Sequence, residues 1–224
     1  VAGDPIEDGF VVFEDGVIQA VGEGAPPAIG GAESIDARGM HVYPGLIASD
    51  TRLGLDETGS VAVTQDHNEF GDITPEVRAC VAVNPDSDLI PVARSNGILT
   101  AVSMPSGGTV AGRCAVIRLD GWTWEDLSIV PEAGLVISWP RTDPISARWM
   151  RRARGQQQVD LGEQLEQLDT LFDDAEAYYA ARAAGTVSEI DLRFEGMRGA
   201  IEGTEPVFIR AASASQIESA VAFA

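Results

Sequence analysis

The chain has 224 residues, 45% hydrophobic and 22% charged, an ordinary globular composition well away from the low-hydrophobicity signature of disorder. Thirty-five acidic residues against fifteen basic ones give a formal charge of -20, which repels phosphate backbones and anionic lipid surfaces, so nucleic acid is not an expected partner. All the basic residues are arginine, and no apolar run reaches the roughly eighteen residues that a membrane-spanning helix needs, so membrane insertion is not expected.

At about 150 residues per domain, the length suits one large domain or one and a half. The chain starts at Val1 without a methionine and ends at Phe223-Ala224 inside a helical pattern. This leads to the expectation of a piece of something longer, with the compartment open and export included. Cys80 and Cys114 make neither a disulfide framework nor a metal-ligand spacing and read as small buried hydrophobes.

In chain order, Asp8 to Gly22 gives two β-rich runs joined by Glu14-Asp15-Gly16, a strong hairpin signal. A Gly/Ala/Pro segment follows. Then ESIDARGMHVYPGLIAS predicts a strand, an Ala-Arg-Gly turn and another strand. The apolar part of that strand beyond Pro44 reads as buried on both faces. Thr74-Pro75-Glu76 predicts a helix start. NPDSDLIPVARSNG predicts a helix ending at Asn96-Gly97 that feeds the strand ILTAVSM, and PSGGTVAG reads as a tight connection between strands. Further strands are expected at Cys114 to Leu119 and Gly134 to Trp139.

Leu161, Leu165, Leu168, Phe172, Ala175 and Tyr179 carry the apolar stripe of a long helix covering a sheet. DLRFEGMRGAI reads as another helix, PVFIRA as a strand and ASQIESAVAFA as a last helix. Strands alternating with helices predict a parallel α/β domain.

The segments DGVIQAVG, IDARGMHVYPGLI and the run from Asn68 through Gly121 together resemble the amidohydrolase superfamily, in its imidazolonepropionase-related branch. PVFIRAASASQIESAVAFA resembles a later strand and helix of the same fold. The resemblance implies an α/β chain whose residues 1–43 are an N-terminal β-sandwich portion and whose residues 44–224 are the first half of a (β/α)8 TIM barrel. It implies metal-dependent hydrolysis of C–N bonds in amides or cyclic amides, with a zinc or similar ion held by Asp-x-His-x-His at the end of the first barrel strand.

At those positions this sequence reads Ala48-Ser49-Asp50-Thr51-Arg52, with both histidine places taken by Asp50 and Arg52, and Arg210 stands where the family's later strand carries a histidine. Guanidinium has no lone pair to give a metal. At about 4 Å and an effective dielectric near 20, its charge would oppose a divalent ion by several kcal/mol. Asp50, Arg52 and Arg210 are therefore expected to form an arginine-carboxylate cluster at the barrel mouth, with no catalytic residue and no cofactor.

Asn68 and Glu69 are candidate ligand contacts or turn formers. His41 and His67, placed apart, read as solvent-facing or core residues rather than ligands. Trp122 and Trp124 read as one buried aromatic and one at a boundary. The basic cluster from Met150 to Gly155 reads as a solvated patch or an internal ion-pair partner, and Ser103 and Ser106 lack the histidine that nucleophilic serine chemistry needs.

Three functions remain open. The first is a catalytically silent or altered homologue with a structural role, partnered by the missing half of the barrel or a homologous subunit in an oligomer. The second is an active hydrolase with zinc or another divalent metal, whose ligands lie beyond residue 224. The third is a binder of a carboxylate through Arg52 and Arg210.

Overall fold

The computed structural model describes residues 3–146 and 151–224, which divide into two compact units, Val1–Pro44 and Gly45–Ala224. Met150, the first residue of the basic cluster, lies outside the described residues.

In the first unit, β1 (Gly9–Glu14) pairs antiparallel with β2 (Val17–Glu23). Asp15 and Gly16 turn between them with positive φ at both positions, the arrangement that matches the right-handed twist of a tight hairpin. The two strands form a single layer, and a sandwich needs a second. The strand expected before the Ala-Arg-Gly turn does not form, and the one after it begins only at Leu46, because Pro44 has no amide hydrogen to give a ladder.

The second unit is a five-stranded sheet in spatial order β3-β4-β5-β6-β7. Its strands are β3 (Leu46–Thr51), β4 (Ile98–Ser103), β5 (Val110–Arg118), β6 (Ser128–Ser138) and β7 (Val207–Arg210). β3 pairs parallel with β4, and β6 with β7. β5 runs antiparallel to both of its neighbours, which corrects the expectation of an all-parallel sheet. The reason is the shortness of the PSGGTVAG connection, since a parallel return needs a crossover of about a dozen residues. The sheet is a curled half-barrel carrying one reversed strand.

Helices cover one face. These are α1 (Ala79–Ala82), α2 (Leu89–Ser95), α3 (Trp124–Leu127), α4 (Arg154–Ala183), α5 (Leu192–Ile201) and α6 (Ala214–Phe223). Side chains alternate across the strands as a pleat requires. Ala101, Ala115 and Ile117 pack with α1, α2 and α3, while Leu135, Ile137, Val207 and Ile209 pack with α4, α5 and α6. The residues between them, Val102, Cys114, Val136 and Phe208, form a separate cluster with Met104 and Ala111 on the opposite face. No described helix is long and apolar enough to cross a membrane.

Four local expectations change. β3 is an edge strand, with Leu46 61% and Ile47 68% exposed, rather than a strand buried on both faces. Thr74 opens no helix, because its hydroxyl donates to the Val110 carbonyl at 3.1 Å. On α4 the buried residues are Leu168, Leu171, Ala175 and Tyr178, a stripe rotated from the expected one so that Phe172 is only half-buried. Trp122 is exposed and Trp124 half-buried.

The last helix is fixed by one amide. The Gln216 Oε1 accepts from the backbone N–H groups of Ala212 at 3.0 Å and Ser213 at 3.1 Å. Its Nε2 donates to the carbonyls of Trp139 at 2.9 Å and Pro140 at 3.2 Å. The Ser213 hydroxyl oxygen in turn accepts from the Gln216 N–H, closing a capping box. Gln216→Leu is expected to destabilise the fold by about 3 kcal/mol, since it orphans buried donors and acceptors. Ser213→Ala should cost about 1 kcal/mol. Denaturant melts of both variants check the order, and equal losses would contradict it.

Candidate functional site

The reversed strand places its connection, residues 104–109, against the end of β3 and the loop that follows it. The Met104 N–H donates to the Thr51 carbonyl at 2.9 Å, the Ser106 N–H to the His67 carbonyl at 2.6 Å, and the Thr109 N–H to the Asp72 carbonyl at 2.7 Å. The Thr109 hydroxyl adds a bond to the Asp72 carboxylate at 2.9 Å. Gly107 and Gly108 both have positive φ. A Cβ on Gly108 would lie 2.5 Å from the Asp72 carbonyl oxygen, and one on Gly107 would lie 2.6 Å from the Asn68 Cβ, so the close approach demands glycine at both positions. Asn68 serves here as the surface against which this loop folds. Glu69 is exposed in the same loop.

Arg210, two residues beyond Phe208, ends β7 on the helix-free face. Its Nη2 pairs with the Asp50 Oδ1 at 2.5 Å, and its Nη1 donates to the Pro105 carbonyl at 2.7 Å. β3 and β7 are the two outer strands of the sheet, so this pair spans the mouth of the curl from edge to edge. Arg52 turns the other way. Its Nη1 lies 3.5 Å from the His67 Nε2 and 3.7 Å from the Asp56 Oδ2, and the His67 Nδ1 lies 3.6 Å from that same Asp56 oxygen. A donation from Arg52 to Nε2 places the His67 proton on Nδ1, facing Asp56. His67 is 12% exposed, and both its Nδ1 and the Asp56 Oδ1 are buried without a hydrogen-bond partner.

The structure thus joins Asp50 to Arg210 directly and sets Arg52 in a neighbouring group with His67 and Asp56. Asp56, the Pro105 carbonyl and Asp72 were not singled out in the sequence. They lie in irregular loops where no periodicity marks which side chains converge.

Cys114 lies in the cluster beneath the mouth. Burial pushes its thiol up to about 11, and Cys80 is raised for the same reason.

An amidohydrolase from Thermotoga maritima MSB8 has the same fold, with a TM-score of 0.78 and 21% sequence identity over 95% of this chain. The chain spans 56% of the length of that protein. No protein-family model matches the sequence, and no curated protein matches it.

Two measurements follow from this geometry. Both cysteines should resist iodoacetamide at pH 8 in the native protein and react on unfolding, read by mass spectrometry. The raised Cys114 value gives a contribution to stability that is fully present below about pH 9 and lost as pH rises through about 11. Asp50 is 60% and Arg210 26% exposed, so solvent screening limits their pair. A double-mutant cycle on Asp50→Ala and Arg210→Gln should give a coupling of about 1 kcal/mol or less, and a coupling several times larger would show the pair to be shielded from water.

Proposed function

We propose that this chain is an amidohydrolase-like protein whose barrel mouth has lost the metal-ligand histidines. It is catalytically silent or altered, and its role is structural, exercised with the rest of a barrel or with a homologous subunit. The observation that carries this reading is the Asp50–Arg210 pair at the strand ends of an amidohydrolase fold. The donor chemistry at these positions does not fit a divalent cation. Two of the three candidate positions are guanidinium groups without lone pairs, and the single carboxylate is held by one of them. A catalytic zinc needs about three protein donors and an open place for water. The reading extends the resemblance to the imidazolonepropionase-related branch on the segments that carry it.

The partner requirement rests on the sheet. Among the described residues its outer strands β3 and β7 have no strand neighbour on their outer edges, and open edges of this kind invite further strands. The exposed Leu46 and Ile47 add apolar surface for a neighbour to cover.

A second reading is favoured by the span of 56% of the Thermotoga maritima protein. Sites on barrels draw on several strand ends, so a hydrolase with ligands supplied by further strands would keep a metal. Elemental analysis of the purified full-length protein separates the two. The first reading expects less than about a tenth of an equivalent of zinc, manganese or iron. One equivalent, lost together with amide or lactam hydrolysis on chelation, would establish the second.

A further inference from the structure

We propose that Arg210 heads a binding site for a small carboxylate in the mouth of the half-barrel, and that Asp50 is its resident occupant, displaced when the ligand arrives. The inference rests on the reading of the mouth as free of metal-ligating histidines, and it goes beyond that reading by giving the mouth a ligand and a way in.

Arg210 does not depend on Asp50 for its orientation. Its Nη1 is tied to the Pro105 carbonyl at 2.7 Å, Pro105 is buried, and the arginine side chain is only 26% exposed. The other terminal nitrogen is thereby aimed across the mouth. What it meets there is a weakly held anion. Asp50 engages through Oδ1 alone, at 2.5 Å, and its side chain is 60% exposed at the tip of an edge strand.

A free carboxylate exchanges charge for charge with Asp50, so Arg210 is never left unpaired. The planar donor array of a guanidinium suits a planar carboxylate.

The floor limits size. Met104, Cys114 and Val136 are buried beneath the rim, with the half-buried Phe208 packed against them, so the ligand sits at the rim and is small. A short carboxylate such as malonate fits this pattern, with one group on Arg210.

Malonate is the probe, titrated by calorimetry into wild type, Asp50→Ala, Asp50→Asn and the double variant Asp50→Asn/Arg210→Gln, with uncharged malonamide as control. Asp50 competes as a tethered ligand at an effective concentration in the millimolar range. Removing its charge should therefore tighten malonate binding by about tenfold over wild type, while the double variant and malonamide should show none. Asp50→Asn is nearly isosteric and decides the matter should Asp50→Ala fail to fold. Equal affinity in wild type and Asp50→Asn, or undiminished affinity in the double variant, overturns the proposal. Metal content measured on the same wild-type preparation separates the two failures. A stoichiometric metal there sinks the metal-free reading, whereas absent metal with unchanged malonate affinity sinks this inference alone.

Discussion

One ion pair joins the two ends of the sheet. Asp50 closes β3 and Arg210 closes β7, the outermost strands in a row of five, yet their side chains meet at 2.5 Å. Edge strands of a flat sheet this wide would stand about 19 Å apart at the usual spacing between neighbouring strands. The contact therefore records how far the sheet has curled, and it fixes the helix-free face as the inside of that curl. The pair is too exposed to supply much of the stability. Its importance is geometric, since whatever enters the mouth meets this contact.

What holds the curl is packing on both sides of the pleat. Alternate residues of the inner strands go to helix-covered clusters and to the inner cluster, as Leu135 and Ile137 do on one side and Val136 on the other. Such a sheet cannot flatten without pulling apart one of its two apolar layers. The reversal at β5 adds a second constraint. Because the 104–109 connection returns directly, it stays at the strand ends, where its carbonyl at Pro105 anchors Arg210 and its amide at Ser106 ties down the His67 loop. A crossover helix in its place would have carried the chain to the other end of the sheet.

Much of this arrangement is legible in the sequence, and the parts that are not share a cause. The Asp15-Gly16 hairpin, the helix ending at Asn96 and the strand of PVFIRA are announced by local chemistry of turns and caps or by apolar runs. The direction of β5 was implied by the short Pro-Ser-Gly-Gly connection, but the alternation of helices and strands around it argued for a parallel layout. The length of a loop is the better guide to strand direction, because it limits where the chain can go. β3 misled for a different reason. Its apolar run fits a strand buried on both faces, but only its place in the sheet decides whether neighbours exist to bury it.

The candidate site shows the same division. Asp50 and Arg210 were marked by a departure from a family pattern, which needs only the order of residues along strands. That Arg52 turns to His67 and Asp56 instead of Asp50 depends on how the chain leaves β3. Leu55 is 1% exposed, and the turn that buries it three residues after Arg52 sets the Asp56 carboxylate within reach of the guanidinium. A buried leucine thus chooses the partner of an exposed arginine. The consequence is two arginines in unlike states: Arg210 is held in the mouth against a carbonyl and an acid, while Arg52, outside it, rests on long contacts beside a half-satisfied His–Asp pair. Of the two, Arg210 is the one already aimed across the mouth, and its partner Asp50 is the group of this rim most open to water.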